Sequence, residues 1–180
     1  MKPSRAVKVI SLYQPWATLV VIGAKKFETR SWKTNYRGPL LIHASKRFTK
    51  AEQSLCAEWP FRKYVQNSAL PTGAIVGRVD LTDCMPTEEW LKQNTQPTGP
   101  VARLVEQDLS KGVELFLKQT SAEEWEFGDF SYGRFAWKLE NPVAFEASIP
   151  AKGSLGIWEL SESAWEQLNL HAQISIGGQR

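Results

Sequence analysis

Runs of strand character recur along this chain more often than helical ones and do not alternate with helices in a regular way, and this restricts the fold more than any other feature of its 180 residues. Residues 7–12 set Val7, Val9 and Ser11 against Ile10 and Leu12, and residues 27–32 set Glu28, Arg30 and Trp32 against Phe27, Thr29 and Ser31, the two-residue period of a strand. Residues 39–43 are apolar and β-favouring, follow an Arg37-Gly38 turn, and are expected to return beside the preceding strand. Residues 74–83 place Ile75, Gly77, Val79 and Leu81 on one face and Val76, Arg78, Asp80 and Thr82 on the other, with Gly77 marking a bulge or a close backbone approach. Residues 135–139 and 143–147 read as two strands joined by an Asn141-Pro142 turn, and 156–160 as the last. A doubly wound sheet needs strands and helices in alternation, so the expectation is an α+β domain, barrel-like, with helices that plug and flank it.

The helices are few. Pro15 suits the first helical position, Trp16, Leu19 and Val20 follow at helical spacing, and Gly23 suits a left-handed end, which leaves Lys25 in the exit turn. Thr49 and Glu52 form a capping box for a helix running toward Tyr64, with Pro60 interrupting it. Residues 84–133 read as an insertion: a turn capped by Thr87 that holds Trp90 and Leu91, a polar linker at 93–100, and a short amphipathic helix from Val101 to Leu109. Helical tendency returns at 161–170 and the last residues are expected to fray. The organisation expected is a single domain over 1–165, with the insertion inside it and a tail at 166–180.

Hydrophobic residues make up 42% and charged residues 23%, ordinary globular values, and a chain of this length buries a core without disulfide or metal. The net charge is only +3, so affinity for an anionic partner has to come from local clustering. Such clustering exists: Lys25, Lys26, Arg30, Lys33, Arg37, Lys46, Arg47 and Lys50 precede residue 51, where Glu28 is the sole acid. Cys56 and Cys84 are too few for a zinc knuckle or a disulfide framework, and His43 and His171 too few for a histidine metal site; no metal and no cofactor is expected. Without an apolar leader or a long apolar run, the expected setting is the reducing cytoplasm, away from membranes.

Chemistry concentrates in the first quarter. Gly23, Lys25, Glu28 and Arg30 form a G-x-K-x-x-E-x-R spacing flanked by Tyr13, Trp16, Trp32 and Tyr36, and cations, one carboxylate and flat rings together suit a nucleotide-like ligand. Arg30 offers planar two-point contacts to phosphate or a base edge. Glu28 either pairs with Arg30 two residues on, accepts from a base amino group, or acts as a general base with Lys25. Gln14, Pro15 and Trp16 put a base-edge contact, helix amides and a ring near the same place, although Trp16 reads equally as core. Trp32 is the stacking candidate on the Glu28 face, beside Ser31, and Tyr36, Arg37, His43, Ser45 and Lys46 extend a basic track. His43 reads as a structural group with no nucleophile nearby, and no serine elbow or Gly-rich phosphate loop appears, which argues against an acyl-enzyme. Trp125, Phe127, Phe130, Phe135, Trp137 and Trp158 read as barrel filling, with Arg134 at a rim.

The segment SLYQPWATLVVIGAKKFETRSWKTNYRGPLLIHASK at 11–46, with GAIVGRVDLTDC at 73–84, FGDFSYGRFAWKL at 127–139 and PAKGSLGIW at 150–158, resembles the ASCH (activating signal cointegrator homology) family of the PUA-like superfold. These blocks cover most of residues 7–160, and QPWA with ExRSW is like the branch found at the end of a eukaryotic transcription coactivator. The resemblance implies a PUA-like small β-barrel of mixed strands with flanking helices and a cleft floored by the G-x-K-x-x-E-x-R segment. It implies RNA or single-stranded DNA as partner, and the residues read above, Gln14, Pro15, Trp16, Lys25, Glu28, Arg30, Ser31, Trp32, Tyr36, Arg37 and Lys46, form the expected binding set. Some members cut RNA or deacylate N-acylated cytidine, which would make Lys25 and Glu28 catalytic toward RNA or a modified nucleoside. The deacylating members carry threonine where Glu28 stands and a glutamate where this chain has Gly77 or Arg78, so Lys25 alone carries over. A third reading is a protein-interaction adaptor that docks its partner through 84–133.

Overall fold

The computed structural model describes residues 7–95, 122–160 and 166. Its frame is one six-stranded sheet of β1 (Lys8–Leu12), β2 (Phe27–Arg30), β3 (Gly38–Ala44), β4 (Ala74–Pro86), β5 (Phe135–Pro150) and β6 (Ile157–Glu159), in the order β2-β5-β4-β3-β1-β6. Only β1 and β3 run parallel, with Ile10 opposite Ile42; all other pairs are antiparallel. The sheet is mixed, curls into a half-barrel and carries helices on its flank, the α+β architecture expected. β2 and β3 are not neighbours: β2 closes one edge against β5, so the return of residues 39–43 beside β2 is corrected.

The helices are short: α1 (Trp16–Val21), α2 (Lys50–Leu55), α3 (Phe61–Val65), α4 (Thr87–Thr95) and α5 (Ala122–Glu126). Pro15 caps α1 from one residue before its first turn, and Gly23, at φ 77°, ends it by donating to the Val20 carbonyl. The next two amides, of Ala24 and Lys25, both donate to the Leu19 carbonyl, which turns the chain back toward β2. α1 buries Ala17, Val20 and Val21 against the sheet and Leu19 against α3, where Phe61, Val65 and Phe127 gather. The Thr49–Glu52 capping box is present, and Pro60 does divide the expected helix, leaving α2 and α3.

β5 corrects a second expectation. Residues 135–150 form one strand, and Asn141-Pro142 is an irregularity inside it: Asp80 faces Glu140 and Arg78 faces Val143, with the two residues between unmatched. Asn141 takes φ 51° and Pro142, which has no N–H to offer a ladder, fits where the pairing lapses. β4 runs on to Pro86, into the expected insertion, before α4 begins at Thr87. It bulges between Ile75 and Gly77, so its faces exchange: Ile75 joins Val9, Leu41 and Ile149, whereas Val76, Val79 and Leu81 join Ile10, Leu12, Ile42 and Trp137. Gly77 is a close approach as well, because a Cβ there would stand 2.3 Å from the Val143 carbonyl oxygen and 2.7 Å from Val21 Cγ1. The expected helix at 101–109, most of the linker at 93–100, and all of 161–170 and the tail apart from Glu166 lie outside the described residues.

Candidate functional site

β1 and β2 leave an opening between them that α1, the segment 126–134 and the loop 150–156 wall in. The resulting cleft has a volume of about 1350 Å³. Its floor can be followed through hydrogen bonds from one end to the other. At the first end the Asp129 amide donates to Thr29 Oγ1 (2.9 Å), and Arg134 reaches the Asp129 carbonyl (3.1 Å) and carboxylate (3.3 Å) and the Thr29 carbonyl (3.4 Å). Next, Glu28 Oε1 lies 2.9 Å from Arg30 Nε, a charge contact without hydrogen-bond alignment, and Arg30 Nη2 donates to the Ser11 carbonyl (3.0 Å). Ser11 Oγ stands 3.1 Å from the Ser154 carbonyl, 3.1 Å from His43 Nδ1, and accepts from Trp158 Nε1 at 3.2 Å. His43 Nε2 lies 3.1 Å from the Ala151 carbonyl, and the Ala151 amide donates to the Gly73 carbonyl (3.1 Å). Gly73 packs against the Lys46 stem, and Lys46 and Lys152 mark the far end.

Of the residues singled out in the sequence, Tyr13, Trp16, Glu28, Arg30, His43, Ser45, Lys46, Phe127 and Arg134 line this cleft. Trp16 is both wall and core, since its ring also meets Phe61 edge to face at 5.8 Å. Lys25 comes to the same cluster but from behind: it is 1% exposed, donates to the Phe127 carbonyl at 2.8 Å and lies 3.8 Å from Glu28 Oε2. Gln14 is fully buried, accepting from the Thr18 amide and hydroxyl and donating to the Pro71 carbonyl, so it cannot read a base edge in this arrangement. Pro15, Ser31, Trp32, Tyr36 and Arg37 do not line the cleft. Trp32 meets Trp137 edge to face at 4.6 Å, Tyr36 donates to the Pro39 carbonyl, and Arg37 is held by the Thr34 and Tyr36 carbonyls and Asp83. β2 ends at Arg30, so the two-residue period that would have aimed Trp32 beside Glu28 stops before reaching it.

Burial sets the charge states. Lys25 has its pKa lowered, chiefly by burial, against the opposing pull of Glu28 and Glu124. Glu124 has its pKa raised, again chiefly by burial, although Lys25 and the amides of Lys26 (2.7 Å) and Phe27 (2.9 Å) oppose this. These contacts tie α5 to the start of β2, and so hold the wall formed by Glu126, Phe127, Gly128 and Asp129. His43 has its pKa lowered by burial, which keeps the imidazole neutral near pH 7. Ser11, Asp129, Lys152 and Ser154 lie inside the resembling blocks but, like Thr72, were not singled out in the sequence as site residues. Gly153 gave the one usable signal: a Cβ there would fall 2.4 Å from His43 Cε1 and 3.0 Å from Ser11 Oγ, so the loop closes over His43 only if that residue is glycine. The fold sets the Ser11 hydroxyl beside His43, a contact the sequence did not announce, and with the Ala151 carbonyl on its other nitrogen His43 has partners on both sides.

Among the described residues no group of three or more His, Cys, Asp or Glu is placed to hold a metal ion, and no helix is long and apolar enough to cross a membrane. A family model described as the ASCH domain matches residues 10–147. Activating signal cointegrator 1 of Mus musculus and that of Homo sapiens are each 35% identical over 156 residues, which is 84% of this chain and 22% of theirs. The chain therefore spans about a fifth of the length of the curated relatives it matches. Crystal structures of ASCH from Zymomonas mobilis (12% identity, TM-score 0.49, 93% of this chain and 96% of that one) and of a point mutant of it (15%, 0.48, 92% and 98%) are also similar.

Proposed function

The chain belongs to the ASCH domain family, and on that premise we propose that it binds RNA or single-stranded DNA, with part of the strand held in the cleft between β1, β2 and the 150–156 loop. One observation carries this reading. Lys46 and Lys152 stand exposed on the cleft without an ion pair or hydrogen bond to any described residue, and the half-exposed Tyr13 and Trp16 line the same cleft. Free ammonium groups and flat rings lining one cleft are the combination that single strands use, phosphate on a cation and base on a ring. The cleft is also larger than the roughly 300–1,000 Å³ usual for one small molecule, which suits a segment of polymer. Arg47 adds charge at the rim, its guanidinium 4.9 Å from the Tyr13 ring centre.

Catalytic turnover by Lys25 and Glu28 has less support, because Lys25 Nζ is committed to the Phe127 carbonyl and does not face the cleft. Fluorescence anisotropy with labelled RNA, single-stranded DNA and duplex of equal length tests the proposal. Two phosphate contacts, at a salt exponent of about 0.7 each, predict a loss of affinity of roughly sevenfold between 50 and 200 mM salt for the single strands. Lys46→Ala and Lys152→Ala are each expected to lower that exponent by about 0.7. Absence of binding, or an affinity indifferent to salt, refutes the reading.

A further inference from the structure

The two ends of the cleft differ in their electrostatic state. At the β2 end each guanidinium is matched by a carboxylate: Arg30 by Glu28 at 2.9 Å and Arg134 by Asp129 at 3.3 Å. Both also bond backbone carbonyls, so little free positive charge remains there. At the opposite end Lys46 and Lys152 face no carboxylate among the described residues and are accompanied only by hydroxyls such as those of Ser45 and Thr72. Between them the floor is the neutral His43–Ser11 contact.

We propose that the cleft is divided into two subsites, a phosphate subsite at Lys46 and Lys152 and a nucleobase subsite at the Glu28–Arg30 and Asp129–Arg134 pairs, so that a bound strand has a fixed orientation across the floor. The inference rests on the nucleic-acid reading of the same cleft. A phosphate at the β2 end would meet the carboxylates of Glu28 and Asp129, with that of Glu126 on the same wall, and like charges repel most where water is partly excluded. A base edge, by contrast, carries hydrogen-bond donors beside acceptors, and an arginine next to a carboxylate presents the complementary order: guanidinium to a ring nitrogen or carbonyl, carboxylate to an amino or imino hydrogen. At the lysine end the reverse holds: two ammonium groups and several hydroxyls offer donors in quantity and no carboxylate, which fits phosphate oxygens.

The test is a set of thermodynamic cycles on short labelled single strands of RNA or of DNA, whichever binds. A single abasic residue, walked along the strand, removes one base; a single methylphosphonate linkage, walked likewise, removes one phosphate charge. In the unaltered protein the most sensitive abasic position is expected to cost roughly tenfold in affinity and the most sensitive methylphosphonate several-fold. Asp129→Asn or Glu28→Gln abolishes most of the abasic penalty and leaves the methylphosphonate penalty; Lys46→Ala or Lys152→Ala does the opposite. Asp129 is exposed, so its variant keeps the test open should Glu28→Gln fail to fold. Penalties that respond alike to both kinds of substitution, or to neither, overturn the division while leaving the cleft as the binding site. If no strand binds at all, the underlying nucleic-acid reading falls with it.

Discussion

His43 shows how one side chain can report on the whole site. The Ala151 carbonyl only accepts, so His43 Nε2 carries the proton and Nδ1 faces Ser11 Oγ as an acceptor. Because the folded pKa lies below the ordinary 6.5, the unfolded chain takes up this proton first on acidification. The stability that depends on neutral His43 is therefore complete above 6.5 and is lost as pH falls through the lowered value. Glu124 has the opposite sign: its contribution is complete below 4.5 and is lost as pH rises through its raised value. Between pH 7 and 5, His43→Gln should flatten the fall in Tm relative to the unaltered protein and Glu124→Gln should steepen it; melts at a series of pH values that move both variants the same way would contradict this. Lys25 belongs to the same scale. Lys25→Met strips the buried neighbours Glu28 and Glu124 of their cation and is expected to cost about 3 kcal/mol in urea unfolding while leaving the salt exponent of binding unchanged. A lowered exponent without loss of stability would instead mark Lys25 as a ligand contact.

At the level of elements, the glycines where two backbones or a ring close in are the sensitive points. Gly77→Ala drives a methyl group into the Val143 carbonyl and Val21, and should destabilise by about 1–3 kcal/mol, read from denaturant midpoints. Gly153→Ala meets the His43 ring instead and should lift the 150–156 loop, weakening nucleic-acid affinity more than stability. Most elements were legible from local chemistry: the proline and glycine that bound α1, the Thr49–Glu52 box, and the alternation of β1 depend only on near neighbours in sequence. What was not legible depended on partners far along the chain. Trp32 follows the period of β2 on paper, but β2 lasts four residues because its pairing with β5 runs only from Phe27–Lys138 to Arg30–Phe135. The Asn141-Pro142 pair has turn chemistry, yet β4 is long enough to hold both flanks in one strand.

On the scale of the molecule, the cleft is assembled from segments that the sequence holds far apart: residues 11–16, 28–30, 43–46, 72–73, 126–134 and 150–156. The part of the candidate site from Tyr13 to Lys46 could be read in the first quarter because it lies in one run, and Arg134 could be set at a rim; Asp129 and Lys152 could not be assigned, since only folding brings them there. Two separate walls should therefore respond together to a ligand. Hydrogen exchange in the presence of a bound single strand is expected to slow in 126–134 and 150–156 alike, and to leave the Arg37–Asp83 side of the sheet unchanged. Slowing in only one wall would place the ligand elsewhere. The extra residue in β4 at Val76 reaches further still. Because that strand rolls over in mid-course, it pins one oily nucleus with Ile75 and another with Val79 and Leu81, as a single thread stitches two layers of cloth. Neither nucleus can loosen without pulling on the other, so a calorimeter should record one heat-absorption peak for the described core rather than two.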